Sequence, residues 1–324
     1  MTAALTAASV SERNGDDFSQ KGELKMMEES LIGELRRAFP AMALRENEPM
    51  RAHCSFRIGG PADVFAEPAS EAELTGLCRF LRERGVIPAV IGNGTNLLVH
   101  DEGVRGAVIH VGEALGGIRA EGDTLIAGAG ITLAKLAVFA KEQGLAGLEF
   151  AHGIPGSLGG AVMMNAGAYG GEMKDVVTSV RYLDETGAVC ETAEPGFGYR
   201  KSRFTDTRCV ILGAVLRLRP DDPEAIHARM MELWAKRSAS QPLEKPSAGS
   251  TFKRPVTGYA AAMIEQAGLK GLTVGGAQVS EKHAGFVINT GSAAFADVTA
   301  LMDKITDAVY EKFGVTLEPE VKIL

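Results

Sequence analysis

The chain has 324 residues, 45% hydrophobic and 23% charged, the balance of an ordinary soluble protein long enough for two or three domains. A net charge of −7 gives no general attraction to nucleic acid or to an anionic membrane, and no run of about 18 apolar residues is present to span one. Four cysteines (Cys54, Cys78, Cys190, Cys209) without a CxxC pair argue against a disulfide framework or a zinc site and fit a reducing, cytoplasmic compartment. In chain order, residues 1–25 read as a polar, poorly ordered extension lacking the features of a signal peptide. A helix is expected over 28–39, and a polar-glycine turn at 55–63 leads into a strand at 64–66. Ser70-Glu-Ala-Glu73 is a capping-box pattern opening a helix to about residue 84. Strands are expected at 87–91, 108–111 and 124–127, and a helix over 133–143 that stops at Gly144. The glycine-rich stretch 147–171 reads as ligand-binding loops and turns, and 179–184 with 188–192 as a β-hairpin. A strand at 209–217 precedes Asp222-Pro223, an N-cap with Pro at the first helical position, opening a helix to about 236. Beyond a composition change near 219–222, a helix at 259–266, a strand at 286–289, a long amphipathic helix over 295–313 and an extended tail at 315–324 complete an α+β pattern.

The common nucleotide motifs fail. Gly92-Asn-Gly94 and Gly128-Ala-Gly130 lack the third glycine of a dinucleotide fingerprint, no GxxxxGK[ST] is present, and no HExxH or clustered His marks a metal centre. Two other loops fit close backbone approach to a phosphate: Gly92, Asn93, Gly94, Thr95 and Asn96, and the run Gly153, Ile154, Pro155, Gly156, Ser157, Leu158, Gly159, Gly160. Either alone reads equally as an exposed turn. Together they favour a pyrophosphate clamp, and the small residues of 165–171 suit flat packing against an aromatic ring system.

These segments, with Ser55-Phe-Arg-Ile-Gly-Gly-Pro-Ala-Asp63, Tyr199-Arg200, Gly249-Ser-Thr-Phe-Lys-Arg-Pro255 and Glu318-Pro-Glu-Val321, resemble in order the UDP-N-acetylenolpyruvoylglucosamine reductase family. The resemblance spans residues 50–322 and implies an FAD-binding region of the PCMH type in two subdomains (26–103 and 104–220), then an α+β substrate-binding domain (221–324) whose tail returns to the active site. It implies non-covalent FAD held by Arg57, the 92–96 loop, the 153–160 loop, Asn165 and Ala168, with NADPH as co-substrate. His152, beside Gly153, leaves covalent attachment open on sequence alone. The compact stretch before Gly249 is similar to the branch without an extra tyrosine-bearing loop.

The resemblance assigns Ser250 as proton donor, Arg200 as the group that stabilises an enolate, and Glu320 as the C-terminal acid that orients Arg200 or helps protonation. Glu318 is the decoy, two residues away on the same side of an extended segment. For the anionic UDP moiety the candidates are Tyr199, Arg254 and His283, with Arg237 in place of a family lysine where this chain has Ser240. No metal, nucleic-acid or membrane partner is expected, and the protein is expected to act as a monomer. The competing readings are a flavin oxidoreductase acting on an alcohol or sugar acid, and a non-catalytic flavin-binding regulator. Cys54 reads as a small buried residue.

Overall fold

The computed structural model describes residues 27–324, so the expected N-terminal extension lies outside the described residues. The first sheet has the order β1 (Ala43–Pro49), β2 (Pro61–Glu67), β5 (Val104–His110), β3 (Ala89–Ile91). β1 runs antiparallel to β2, and the other pairings are parallel. Parallel strands buried on both faces need apolar residues throughout. β2 and β5 meet that demand: Val64, Ala66, Ala107 and Ile109 join one core, while Phe65 and Val108 join another. Helices α1 (Glu29–Ala38) and α2 (Glu71–Glu83) share the first core through Leu35, Leu74, Leu77 and Leu81.

At the head of α2 Ser70 Oγ accepts the Glu73 N–H, as the capping box requires, but the Glu73 carboxylate takes the Ala69 N–H instead of that of Ser70. At its other end Arg79 and Arg82 donate to Gly187 O and Asp184 O, fastening α2 to the hairpin of the second sheet.

The second sheet is wholly antiparallel, in the order β12 (Val189–Thr192), β11 (Val177–Leu183), β13 (Val210–Arg217), β7 (Thr124–Gly128), β6 (Ile118–Glu121). Helix α3 (Leu133–Glu142) is capped by Thr132, whose Oγ1 accepts the Lys135 N–H, and the short β8 (Leu145–Ala146) after it pairs with β14 (Arg219–Pro220). Residues 147–171, expected as loops, contain helix α4 (Leu158–Met163) and a hairpin of β9 (Gly167–Ala168) and β10 (Gly171–Glu172). Tyr169 and Gly170 turn that hairpin with φ of +54° and +90°. Two-residue strands joined by a two-residue turn leave no periodicity to read, which hides the hairpin in the sequence.

Helix α5 (Pro223–Ser240), expected to open the third domain, buries Ile226 and Met230 in the core of the second sheet. The third sheet follows it, in the order β15 (Ser247–Ser250), β18 (Phe286–Asn289), β17 (Ala277–Val279), β16 (Thr273–Val274). It packs with α6 (Ala260–Gln266) and α7 (Phe295–Phe313), the latter burying Val298, Leu301, Met302, Ile305 and Val309 at helical spacing. Gly314, at φ +66°, stops α7 as a left-handed C-terminal residue. The tail then crosses back: β19 (Lys322–Ile323) pairs in parallel with β4 (Leu97–Leu98), immediately after the 92–96 loop.

Candidate active site

The two glycine loops meet. Thr95 Oγ1 donates to Pro155 O at 3.1 Å, and a Cβ on Gly92 would lie 2.3 Å from Ser157 Oγ, so a side chain at 92 would have to displace the Ser157 hydroxyl. Gly94 has φ +61° and a Cβ there would stand 2.0 Å from His53 O, so glycine is required on both grounds. Ser55 joins this loop to the third sheet: its N–H donates to Gly94 O and its hydroxyl to Ser247 O. Asn289 Nδ2 reaches Phe56 O, closing the same seam.

The tail is held from both sides. Glu320 N–H donates to Thr251 O at 2.8 Å, Asn96 Nδ2 donates to Glu320 O at 3.0 Å, and Lys322 N–H donates to Asn96 O at 2.9 Å. This ladder sets Glu320 between the residue after Ser250 and the end of the 92–96 loop. Its carboxylate meets Arg200, Nε to Oε1 at 2.7 Å, although that N–H points off the line to the oxygen. Burial raises the pKa of Glu320, and the Arg200 charge opposes that rise. Arg200 itself has φ +53°, a left-handed conformation that costs a non-glycine residue about 1–3 kcal/mol. Glu318 pairs with Lys253 and is exposed, so the two tail carboxylates occupy different surroundings.

Ser250 is exposed at the end of β15, opposite Phe286, and its hydroxyl bonds to none of the described residues. Gly249, at φ +78°, and a shift in register between Ser247 and Ser250 form a bulge there, the device that re-aims a strand's side chain. Tyr199 and Arg200 border a cavity of about 420 Å³, shared with Lys253, Glu318 and Pro319. Tyr199 OH accepts the Arg254 N–H, and the Arg254 guanidinium lies 4.0 Å over the ring of Tyr259. His283 is half-buried in a turn, its Nδ1 accepting the Gly285 N–H, and burial lowers its pKa. Thr251 N–H donates to Gly285 O, which brings that turn beside the Ser250 strand.

The remaining expected residues differ in their surroundings. Leu158 and Gly159 give their N–H groups to Ile131 O and Ala129 O, so this half of the 153–160 loop is spent on the fold. Gly171 lies against the Phe150 ring, which fills one face of the small-residue stretch expected to lie flat on a ligand ring. Asn165 is fully buried with its side-chain amide bonded to protein, and Ala168 is half-buried in the hairpin. Arg57, at φ +57°, is exposed. Cys54 is buried, its thiol donating to Ile58 O and pushed up in pKa by that burial.

Arg237 packs against Gly153, its Cδ 3.1 Å from where a Cβ would sit, with Trp234 beside it. Burial lowers the Arg237 pKa, and among the described residues no acid pairs with it and its Nε, like Nδ1 of neighbouring His152, is a buried polar atom without a partner. Trp234, edge-on to His152, was not identifiable from the sequence, because a lone exposed aromatic on a helix carries no pattern.

These features fit an anionic, polar dinucleotide. The N–H groups of 93–96 and the hydroxyl of Ser157 are bonded to none of the described residues, and two orphaned buried nitrogens belong to His152 and Arg237, which neighbour Gly153. Among the described residues no cluster of His, Cys, Asp and Glu suits a metal ion, and no helix is long and apolar enough to cross a membrane.

Comparison with known proteins agrees with this geometry. Residues 62–193 match the FAD binding domain family, and residues 241–324 match the C-terminal domain of UDP-N-acetylenolpyruvoylglucosamine reductase. The reductase of Caldanaerobacter subterraneus subsp. tengcongensis is 49% identical over 300 residues, covering 92% of this chain and 99% of that protein. The reductase of Clostridioides difficile is 46% identical over 283 residues, covering 87% and 93%. The crystal structure of the Thermus caldophilus reductase aligns with a TM-score of 0.74 at 35% identity, covering 87% of this chain and 98% of that one. The α+β chain, with its FAD-binding domain and distinct C-terminal domain, therefore belongs to the UDP-N-acetylenolpyruvoylglucosamine reductase family of FAD-dependent oxidoreductases.

Proposed function

We propose that the protein reduces the enolpyruvyl ether of UDP-N-acetylenolpyruvoylglucosamine to UDP-N-acetylmuramate, with NADPH as reductant, in cytoplasmic peptidoglycan precursor synthesis. The observation that carries this reading is the Arg200–Glu320 pair, held beside the Ser250 strand by a tail that also bonds the 92–96 loop. Bound non-covalently along residues 92–96 and 153–157, FAD would carry hydride from NADPH to the terminal methylene carbon.

The chain's own residues then manage charge and a proton. Reduction leaves negative charge on the adjacent carbon and its carboxylate. The Arg200 guanidinium is suited to that enolate, because a planar fork of donors matches two oxygens at once. Glu320 holds Arg200 in place, and its raised proton affinity limits the repulsion it offers to the developing charge. Ser250 gives its hydroxyl proton to that carbon and is reprotonated from solvent, to which it is exposed.

The exposed Tyr199–Arg254–Tyr259 group supports binding of the anionic UDP moiety there, with His283 offering only Nε2. Arg237 was expected at the diphosphate. Its packing on Gly153 supports a role toward whatever ligand residues 153–157 hold. The packing of α5 supports a third domain that begins after Ser240.

The test is the absorbance spectrum of the purified protein, then NADPH oxidation with and without the enolpyruvyl sugar nucleotide. The reading expects a flavin spectrum, a colourless acid pellet and turnover that requires this substrate. Turnover with simple alcohols or sugar acids instead, or none at all, refutes it.

A further inference from the structure

We propose that Asn165 is a positioning residue for the reductive step: its buried amide fixes the turn that presents Arg200 to Glu320. This inference rests on the role given to Arg200 above. Nδ2 of Asn165 donates to Gly198 O at 2.9 Å and to Glu172 Oε2 at 2.7 Å, while Oδ1 accepts the Lys174 N–H at 2.9 Å. Both donors are spent, so the side chain has none left for a ligand.

What those bonds hold is the base of a strained turn. Gly198 and Lys201 exchange backbone hydrogen bonds, N–H to O at 2.9 and 3.3 Å, with only Tyr199 and Arg200 between them. Gly198 O therefore takes two donors, Lys201 N–H and the Asn165 amide. Arg200 sits at φ +53°, and a left-handed non-glycine residue persists only where its surroundings over-determine it. Asn165, at φ +43°, and Tyr169, at φ +54°, are strained in the same way, so three of the six such residues in the described chain gather here.

The far side of the turn is anchored to the same element. Ser202 Oγ and Thr205 Oγ1 both donate to Met163 O, at the end of α4, two residues before Asn165. The other end of α4 starts at Ser157, in the loop that meets residues 92–95. Helix α4 thus carries the phosphate loop at one end and the Arg200 turn at the other, with Asn165 as the pin. A carboxylate at 165 could still accept the Lys174 N–H, but it would face the Glu172 carboxylate and could donate nothing to Gly198 O.

The test uses the holoenzyme with Asn165→Gly and Asn165→Asp. Glycine accepts the backbone angle without strain and removes only the amide, while aspartate keeps the acceptor and removes the donors. Flavin content, thermal midpoint, flavin reduction by NADPH and reoxidation by the enolpyruvyl substrate are measured for each, and again for Arg200→Ala alone and combined with Asn165→Gly. A misplaced reacting group costs up to about a hundredfold. The expected result is flavin content and NADPH reduction within about twofold of wild type, and reoxidation slowed about ten- to a hundredfold in both variants. Because Asn165 acts through Arg200, the double variant should be no slower than Arg200→Ala.

Normal reoxidation, losses that multiply in the double variant, or loss of flavin and fold in both variants overturns the positioning role. A slow Arg200→Ala beside a normal Asn165→Gly overturns it alone. A normal Arg200→Ala removes the reading of Arg200 and the positioning role with it.

Discussion

Two carboxylates show how much the surroundings decide what a side chain does. Asp63 is 3% exposed and accepts the Met27 and Gly106 N–H groups at 2.9 and 2.8 Å while pairing with Arg105 at 2.8 Å. Those three partners make it a structural pin of the first sheet. Asp63→Ala would strand two N–H groups and a half-buried guanidinium, and we expect a loss of about 3 kcal/mol, seen as a lower urea midpoint with flavin still bound. Glu320 is the opposite case, a carboxylate whose burial raises its pKa against the pull of Arg200. Between the ordinary and the raised value the folded protein holds more proton at this site than the unfolded chain does. Stability therefore falls as pH rises through that window, and the penalty is absent below the ordinary carboxylate pKa. The thermal-midpoint advantage of Glu320→Gln over wild type should shrink between pH 7.5 and 4.5. A difference that stays flat or widens on acidification would contradict this origin of the shift.

Among the elements, the two-residue strand β19 has an effect out of proportion to its length, because its pairing with β4 sets the height of Glu320 beside the loops. Truncation after Val321 leaves Glu320 in the chain but removes β19 and the Lys322 N–H bond to Asn96 O. We expect kcat to fall at least tenfold with flavin content little changed, measured by steady-state assay and absorbance. Long, patterned elements were legible in the sequence: α7 over 295–313, α5 from its Asp222-Pro223 start, and the fully buried β18 at 286–289. β1 was not, because six of its seven residues are polar, charged or exposed and an edge strand facing water shows no alternation. Nor did local sequence reveal that the buried face of α5 turns to the second sheet, since amphipathicity names a face but not its partner.

At the scale of the molecule, the first sheet is clasped on both sides: one face joins the second sheet's core, the other joins the core of the third sheet and its helices. That arrangement brings residues 94, 200, 250 and 320 to one seam, which no local pattern predicts. The family was legible because several short motifs occur in order. The polar roles inside the candidate site were not, as Asn165 and the fully spent N–H groups of Leu158 and Gly159 show. In the proposed reaction Ser250 donates the proton at this seam, apart from the residues that hold the cofactor. The most direct test is stopped-flow measurement of both half-reactions in Ser250→Ala. Flavin reduction by NADPH should stay within about threefold of wild type, while reoxidation by the enolpyruvyl substrate should slow about 10²- to 10⁴-fold, the usual worth of a general acid. Reoxidation at the wild-type rate, or a matching loss in both steps, would contradict it.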